Sequence, residues 1–504
     1  MARRTKVHYY DVHDPHSRPK GLSGEFATVY DSEVAFVDLQ VARLLAWLKS
    51  AKLDEDTLIV VVGDHGESFG EHGEKGHGSF LYDTTQHVPL IFVHPEAVTA
   101  GRSVPQFVEI IDLFATVCTL MDWQAPDELL SRSLDPALQS GQIEEMGCYG
   151  ESLHAFHSYH WAEQHCLIKS GFKYISSTKP ELYDLVNDPG EKQNLISARV
   201  DLASKMREEL LARFDEIPVG TAEKAGSDEQ ARRALEALGY VSGSGTQAES
   251  KFLTEGLLDP KDMIEVADAK RKAKSLLERG RVDEAYKLLK FAVEKSPDST
   301  VLLFLMGACQ LRKGEDLPAQ ATFLKLLKMN PESPAVLTRM AAVLMKRGKL
   351  DQAIEHYRAA LELDNAAETH AGLAVALQSS GKIDEAIDEF KKALTLSPSL
   401  LEAGTELLNL LNARGRVPEM VVLLEGLAKN HPPQARPKML LGLTYLMLQQ
   451  FDKAEQQFQS ALALDANLGL AYNKLGVCQA LGGRVEAAKA SFMKAMQFDD
   501  SRSE

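Results

Sequence analysis

The sequence predicts an α/β domain followed by an all-α solenoid of helical repeats. Three observations carry this. Short β-branched runs alternate with an amphipathic helix in the N-terminal part, the pattern of strands and helices layered on one another. A glycine recurs at Gly280, Gly314, Gly348, Gly381 and Gly415, at spacings of 34, 34, 33 and 34. Between the two patterns lies "SGSGTQAES" (Ser242 to Ser250), a flexible-linker composition. The expected domains are residues 1–243, a linker at 244–260, and repeats over 261–499.

Composition sets the bounds. The chain has 504 residues, 25% charged, and a net charge of -16. Such a charge repels phosphates at long range, which argues against nucleic acid or an anionic membrane as partner. No apolar window reaches the roughly 18 residues a membrane span needs. The basic start "MARRTK" has no apolar stretch behind it, so no signal peptide is visible and the default location is the cytoplasm. The five cysteines (Cys118, Cys148, Cys166, Cys309, Cys478) are odd in number and form no CxxC pair, so they read as small buried hydrophobes.

In chain order, "VHYYD" is a first short strand. "DSEVAFVDLQVARLLAWLKSAKL" places Val34, Val37, Val41, Leu44, Leu45 and Leu48 at helical spacing. "DTLIVVVGD" (Asp56 to Asp64) and "VPLIFVHP" (Val88 to Pro95) are continuous apolar runs, expected as buried strands of a parallel sheet. "CLIKSGFKYIS" (Cys166 to Ser176) reads as a hairpin, and "DEQARRALEALGYV" as a helix on the first domain.

The repeats have their own grammar. Gln449 and Gly483 continue the glycine series. Five residues after each turn stands Ala285, Ala319, Ala353, Ala386, Ala454 or Ala488, with Met420 as the exception. Four further on comes Leu289, Phe323, Tyr357, Phe390, Leu424, Phe458 or Phe492. Glycine permits the tight turn, alanine lets two helices touch, and the larger side chain fills the gap beside it. Pro297, Pro331, Pro398 and Pro432 are expected to cap the next helix. This unit resembles the tetratricopeptide repeat (TPR), and seven of them imply a solenoid whose concave face binds protein or peptide.

A strand that ends in Asp-His-Gly puts Asp64 and His65 at the carboxyl end of a sheet, where ligands of open α/β sheets bind. Asp offers oxygen and His nitrogen to a divalent cation. Lys75 and His77 could face a tetrahedral anion. The same residues also read as an ordinary Gly/His loop.

"GDHGESFGEHGEKGHGSFLYDTTQHVPLIFV" resembles the second half of the sulfatase catalytic domain, in the alkaline phosphatase superfamily. The resemblance continues in "HYYDVHDPH" (His8 to His16), "DLFATVCTLMDW" (Asp112 to Trp123) and "ELYDLVNDPGEKQNL" (Glu181 to Leu195), and "LEALGYV" resembles the tail found where such domains precede repeats. The resemblance implies that Asp64 and His65 are two ligands of a Ca²⁺ or Mg²⁺. It implies that His13 protonates the leaving oxygen and that His77, or less directly Lys75, holds the sulfuryl or phosphoryl oxygens. His8 and His72 would orient the segment. The family is commonly periplasmic or secreted.

The resemblance also implies an upstream segment with metal-binding carboxylates and a nucleophile in C-x-P-x-R or a Ser/Thr version, oxidised to formylglycine in the Cys and Ser types. No displaced copy occurs. No cysteine is followed by proline two places on; among hydroxyl residues only Ser17, Ser103 and Thr178 are, and the position two beyond each proline is Gly21, Phe107 or Leu182. The expectation is therefore an incomplete α/β segment without nucleophile or formylglycine, a truncated and inactive piece of a sulfatase–repeat protein. The alternatives are a pseudoenzyme whose working part is the repeat scaffold, a separate chain that supplies the missing half, or a phosphoester hydrolase or phosphotransferase of the same superfamily. The ester substrate would bind only if the full domain were present.

Overall fold

The computed structural model describes residues 5–7, 9, 12, 16–19, 22, 24–126, 129–217, 256–430 and 433–500. They fall into two compact units. One comprises the described residues up to 217 together with 256–268; the other runs from 269. The boundary lies inside the stretch expected as repeat, because 256–268 pack on the first unit. The helix expected over "DEQARRALEALGYV", the "LEALGYV" tail and the Gly/Ser linker lie outside the described residues.

The first unit opens with α1 (Val29–Ser50). A capping box starts it: Asp31 N donates to Thr28 Oγ1 at 3.1 Å and Thr28 N donates to the Asp31 carboxylate at 2.9 Å. Of the expected apolar face, Val37, Val41, Leu44 and Leu48 are half-buried, while Val34 and Leu45 are exposed.

β1 (Ile59–Val62) and β4 (Leu90–Val93) are the two apolar runs. They were expected in a parallel sheet, but they pair antiparallel, Ile59 opposite Val93 and Val62 opposite Leu90. A parallel pair needs a crossover, usually a helix laid on the sheet. The chain between these strands carries only a β2–β3 ribbon (Ser68–Phe69 with Lys75–Gly76) and a four-residue helix, α2 (Asp83–Gln86). Nor are the runs buried on both faces: Val61, Val62, Ile91 and Val93 are exposed.

The core of the unit is an antiparallel meander, β5 (Cys148–Ser152), β6 (Gln164–Lys169), β7 (Phe172–Ser176) and β8 (Glu181–Asp184). Alternation sorts its side chains. Leu167, Tyr174 and Leu182 pack on Ala203, Met206 and Leu210 of α6 (Val200–Glu216). Their neighbours Cys166, Ile175 and Tyr183 face Phe80, Leu81 and Tyr82 on the other side. The hairpin expected at "CLIKSGFKYIS" is β6–β7. Its turn is Ser170 (φ 52°) and Gly171 (φ 76°), a left-handed pair that suits the twist of the strands. Between β4 and β5 lie α3 (Asp112–Leu120) and α4 (Asp135–Ser140), and α5 (His154–Tyr159) follows β5.

Among the described residues the second unit is helical: including the helix Ile264–Glu278 that leads into it, fourteen helices run in pairs from Ile264 to Asp500. The glycines of the 34-residue series all take left-handed φ, between 68° and 81°. The small residues behind them, Ala285 to Ala488 with Met420, are no more than 4% exposed. Leu289, Phe323, Tyr357, Phe390, Leu424 and Phe458 are equally buried, and Phe492 is half-buried. The prolines act differently from expectation. Pro297, Pro331 and Pro398 follow the helices that end at Lys295, Met329 and Leu396, ahead of helices that begin at Thr300, Pro334 and Leu401. They stop one helix rather than start the next; Pro432 lies outside the described residues. All five cysteines are buried thiols.

Gln449 occupies a turn with φ 59°. A side chain in this region costs roughly 1–2 kcal/mol. Gln449→Gly is expected to raise stability by about 0.5–1 kcal/mol, the strain relieved less the added chain entropy. Urea unfolding followed by far-ultraviolet dichroism checks it; no gain would show that the turn is unstrained.

Candidate active site

The loop after β1 is shaped by backbone approach. Gly66 N donates to Thr85 O at 2.8 Å, and a Cβ on Gly66 would lie 2.2 Å from Thr84 O. Only glycine lets the strand end press against α2, and this fixes the two residues before it. Asp64 is exposed and its Oδ1 accepts His65 N at 3.0 Å. His65 Nδ1 lies 2.8 Å from Gly66 O. Nδ1 is then the protonated nitrogen, and Nε2 carries the lone pair a cation would take.

The β2–β3 ribbon brings His77 back to this point. Its ring lies on that of His65, with centroids 3.9 Å apart and planes at 31°. His77 Nδ1 is 3.3 Å from Glu67 Oε2. The hydrogen bond to Glu67 holds the imidazole above its ordinary pKa, against the effect of burial. Glu67 Oε1 is buried without a hydrogen-bond partner. The structure thus brings Asp64, His65 and His77 together. Lys75 is exposed on β3 opposite Phe69. His13 and His8 lie outside the described residues. His72, at φ 53°, stacks on Tyr82 with centroids 3.7 Å apart.

Three carboxylates that sequence reasoning passed over hold the site's frame. Glu67 positions His77. Glu74 is buried, and its Oε1 accepts Ser79 N at 2.8 Å. Glu191, in the "DPGEKQNL" segment, accepts Asp83 N at 2.7 Å at the start of α2 and pairs with the buried Lys173 at 2.8 Å. A signal was present for one of them: an acid within a Gly/His loop, two residues after His65, is a candidate partner for a histidine.

Burial pushes the Glu74 carboxyl up to about 7. A carboxyl whose folded pKa is raised binds protons that the unfolded chain does not. The first unit is therefore expected to lose stability as pH rises from about 4.5 to about 7, by on the order of 2–3 kcal/mol. Glu74→Gln keeps an acceptor for Ser79 N but does not titrate. It should remove this part of the slope and stabilise the unit at pH 8. Urea melts of both proteins across pH 5–8 check it; parallel curves would exclude Glu74 as the source.

Asp64 and His65 offer a cation one oxygen and one nitrogen. Among the described residues no group of three or more His, Cys, Asp or Glu converges as a cation site. Ca²⁺ takes about six to eight ligands and Mg²⁺ an octahedron. These residues do not make such a site by themselves.

The strand end bearing Asp-His-Gly and the four-stranded antiparallel sheet both lie in the part of the chain that matches sulfatase-family models. Residues 5–123 match the sulfatase family model, and residues 70–216 match that of the C-terminal region of N-sulphoglucosamine sulphohydrolase. Residues 276–343, 332–403 and 439–501 match tetratricopeptide repeat models. The chain carries sulfatase-family sequence in its N-terminal part, followed by tetratricopeptide repeats. It is similar to the uncharacterized sulfatase YidJ of Escherichia coli, 32% identical over 187 residues, 36% of this chain and 37% of that protein. It is also similar to the N-acetylglucosamine-6-O-sulfatase of Bacteroides thetaiotaomicron, 28% identical over 36% of this chain and 33% of that protein. The chain thus spans little more than a third of the length of these relatives. Among solved structures, the putative sulfatase yidJ of Bacteroides fragilis is 21% identical, with TM-score 0.35 over 37% of this chain and 42% of its own. A tetratricopeptide repeat protein of Parabacteroides merdae is 18% identical, with TM-score 0.34 over 46% of this chain and 93% of its own.

Proposed function

We propose that the first unit supplies one part of a sulfuric ester hydrolase site and that the repeats hold a protein or peptide partner on their concave face. The observation that carries the first reading is the His65–His77 stack at the end of β1, with Glu67 behind His77. In this reading Asp64 and His65 are two ligands of a Ca²⁺ or Mg²⁺ whose remaining ligands lie beyond the described residues. The His77 imidazolium faces the non-bridging oxygens of the ester, a charge-assisted contact that strengthens as charge develops there. His13 donates the proton to the leaving oxygen. Lys75 is the alternative cation. The sequence holds no C-x-P-x-R or its Ser/Thr counterpart, so the nucleophile comes from outside these 504 residues.

Co-expression with a sulfatase segment that carries "D-D-x-R" and "C-x-P-x-R" is expected to create aryl sulfatase activity. Asp64→Ala and His77→Ala should each remove at least about 100-fold of it, and Lys75→Ala less than about fivefold. Activity indifferent to Asp64 and His77 would overturn the reading. A preference for aryl phosphate over aryl sulfate would assign the site to phosphoesters.

A further inference from the structure

We propose that Gly256–Asp268, the stretch of chain that enters the helical repeats, is a strap that positions the His72–His77 loop. It lies beyond residue 216, where the sulfatase-type matches end, yet it is part of the first unit. At Leu258 and Asp259, four hydrogen bonds fasten it to the rest of the unit. Ala162 N donates to Leu258 O at 2.9 Å. Asp259 is 3% exposed. Its Oδ2 accepts from Ser177 Oγ at 2.7 Å, Thr178 Oγ1 at 2.8 Å and Lys179 N at 2.9 Å, and its Oδ1 accepts from Lys261 N at 3.0 Å. A buried carboxylate with four donors is a fixed point, because withdrawing it strands both the charge and the donors.

From this point two routes reach the loop. The first is polar. Lys261 Nζ donates to Lys179 O at 2.6 Å and pairs with Glu181 Oε2 at 3.0 Å. The same oxygen accepts from Tyr82 OH at 3.0 Å, and the Tyr82 ring carries His72. The second is apolar. Ile264 packs on the cluster of Phe80, Tyr82, Ile175, Tyr183 and Leu185. Its Cδ1 sits so close to Gly73 that a Cβ there would come within 2.7 Å. Gly73 (φ 84°) closes the turn between His72 and Lys75, and its N–H bonds to Gly70 O at 3.0 Å. Asp259, Lys261 and Ile264 are thus positioning residues for the segment that ends at His77, contributed from outside the sulfatase-type sequence.

Amide hydrogen exchange on the full chain tests this without any assay of ester hydrolysis, so its failure is distinct from failure of the proposed activity. Asp259→Ala and Ile264→Ala are expected to speed exchange at Gly73 and Glu74 about tenfold or more, with α6 unchanged. Ile264→Leu, which keeps the contact, should stay within about twofold of the parent. Gly73→Ala should disturb the loop less in the Ile264→Ala background than in the parent, because the atom it collides with is gone. Unchanged exchange in both alanine variants, an equal rise in α6, or strict additivity with Gly73→Ala would each overturn the proposal.

Discussion

The 504-residue chain alone is expected to show no measurable hydrolysis of aryl sulfates or aryl phosphates in the presence of Ca²⁺, Mg²⁺ or Mn²⁺. The reason is chemical content. None of its five cysteines is followed by proline two places on, and no hydroxyl residue stands in the equivalent motif. Loss of the nucleophile in a covalent mechanism costs several orders of magnitude in rate. His77, its pKa raised by the hydrogen bond to Glu67, can attract an anion when protonated, but attraction of the ground state does not break a bond. The hydroxyl to watch is Ser17. It is exposed on the same short segment as His16, whose Nδ1 meets Glu33 at 2.7 Å, and its own N–H is held by Glu33. Should the bare chain turn over such esters, with Asp64→Ala and Ser17→Ala each abolishing the rate, the nucleophile is internal and the proposed division of the site is wrong.

Lys173→Met is expected to destabilise the first unit by about 3–5 kcal/mol, a large share of the stability of a typical domain. Lys173 is fully buried and its Nζ meets Leu81 O at 3.1 Å, Glu191 at 2.8 Å and the Asp83 carboxylate. Burial alone would lower its pKa, but Glu191 and Asp83 reverse the direction and keep the ammonium charged. Removing the cation leaves two carboxylates facing each other in a poorly solvated site. It also frees α2, because Glu191 holds Asp83 N. The three tryptophans, Trp47, Trp123 and Trp161, all lie in the N-terminal part, so their fluorescence in urea reports this unit apart from the repeats. A midpoint within about 0.3 M of the parent would show the triad to be dispensable.

The features legible in the sequence were those set locally. The repeat turns announce themselves because a left-handed residue must recur wherever two helices reverse, and glycine supplies it. Gln449 fits the series by position alone. The β6–β7 hairpin was legible from Ser-Gly between two apolar runs. Strand direction in β1–β4 was not, because an apolar run says only that it wants burial; direction is fixed by the connection, here one that folds into a short ribbon and a four-residue helix instead of a crossover helix. Asp64, His65 and His77 are singled out by residue type and resemblance; their supports are not. Glu67 lies ten residues from His77, but Lys173 meets Asp83 and Glu191 across a long loop closure that no local pattern encodes. Asp259 looked like the end of a linker, since one acid says nothing about the three donors that await it near Ser177.

The repeat turns have a consequence for descent. Equivalent glycines share nearly one backbone geometry from Gly280 to Gly483, so a cut at any two of them leaves matching ends. Duplication or deletion of one 34-residue block would lengthen or shorten the array without redesigning a joint, since each unit depends mainly on its neighbours. Genes of this type can therefore change the reach of the solenoid in whole steps, like links added to a chain.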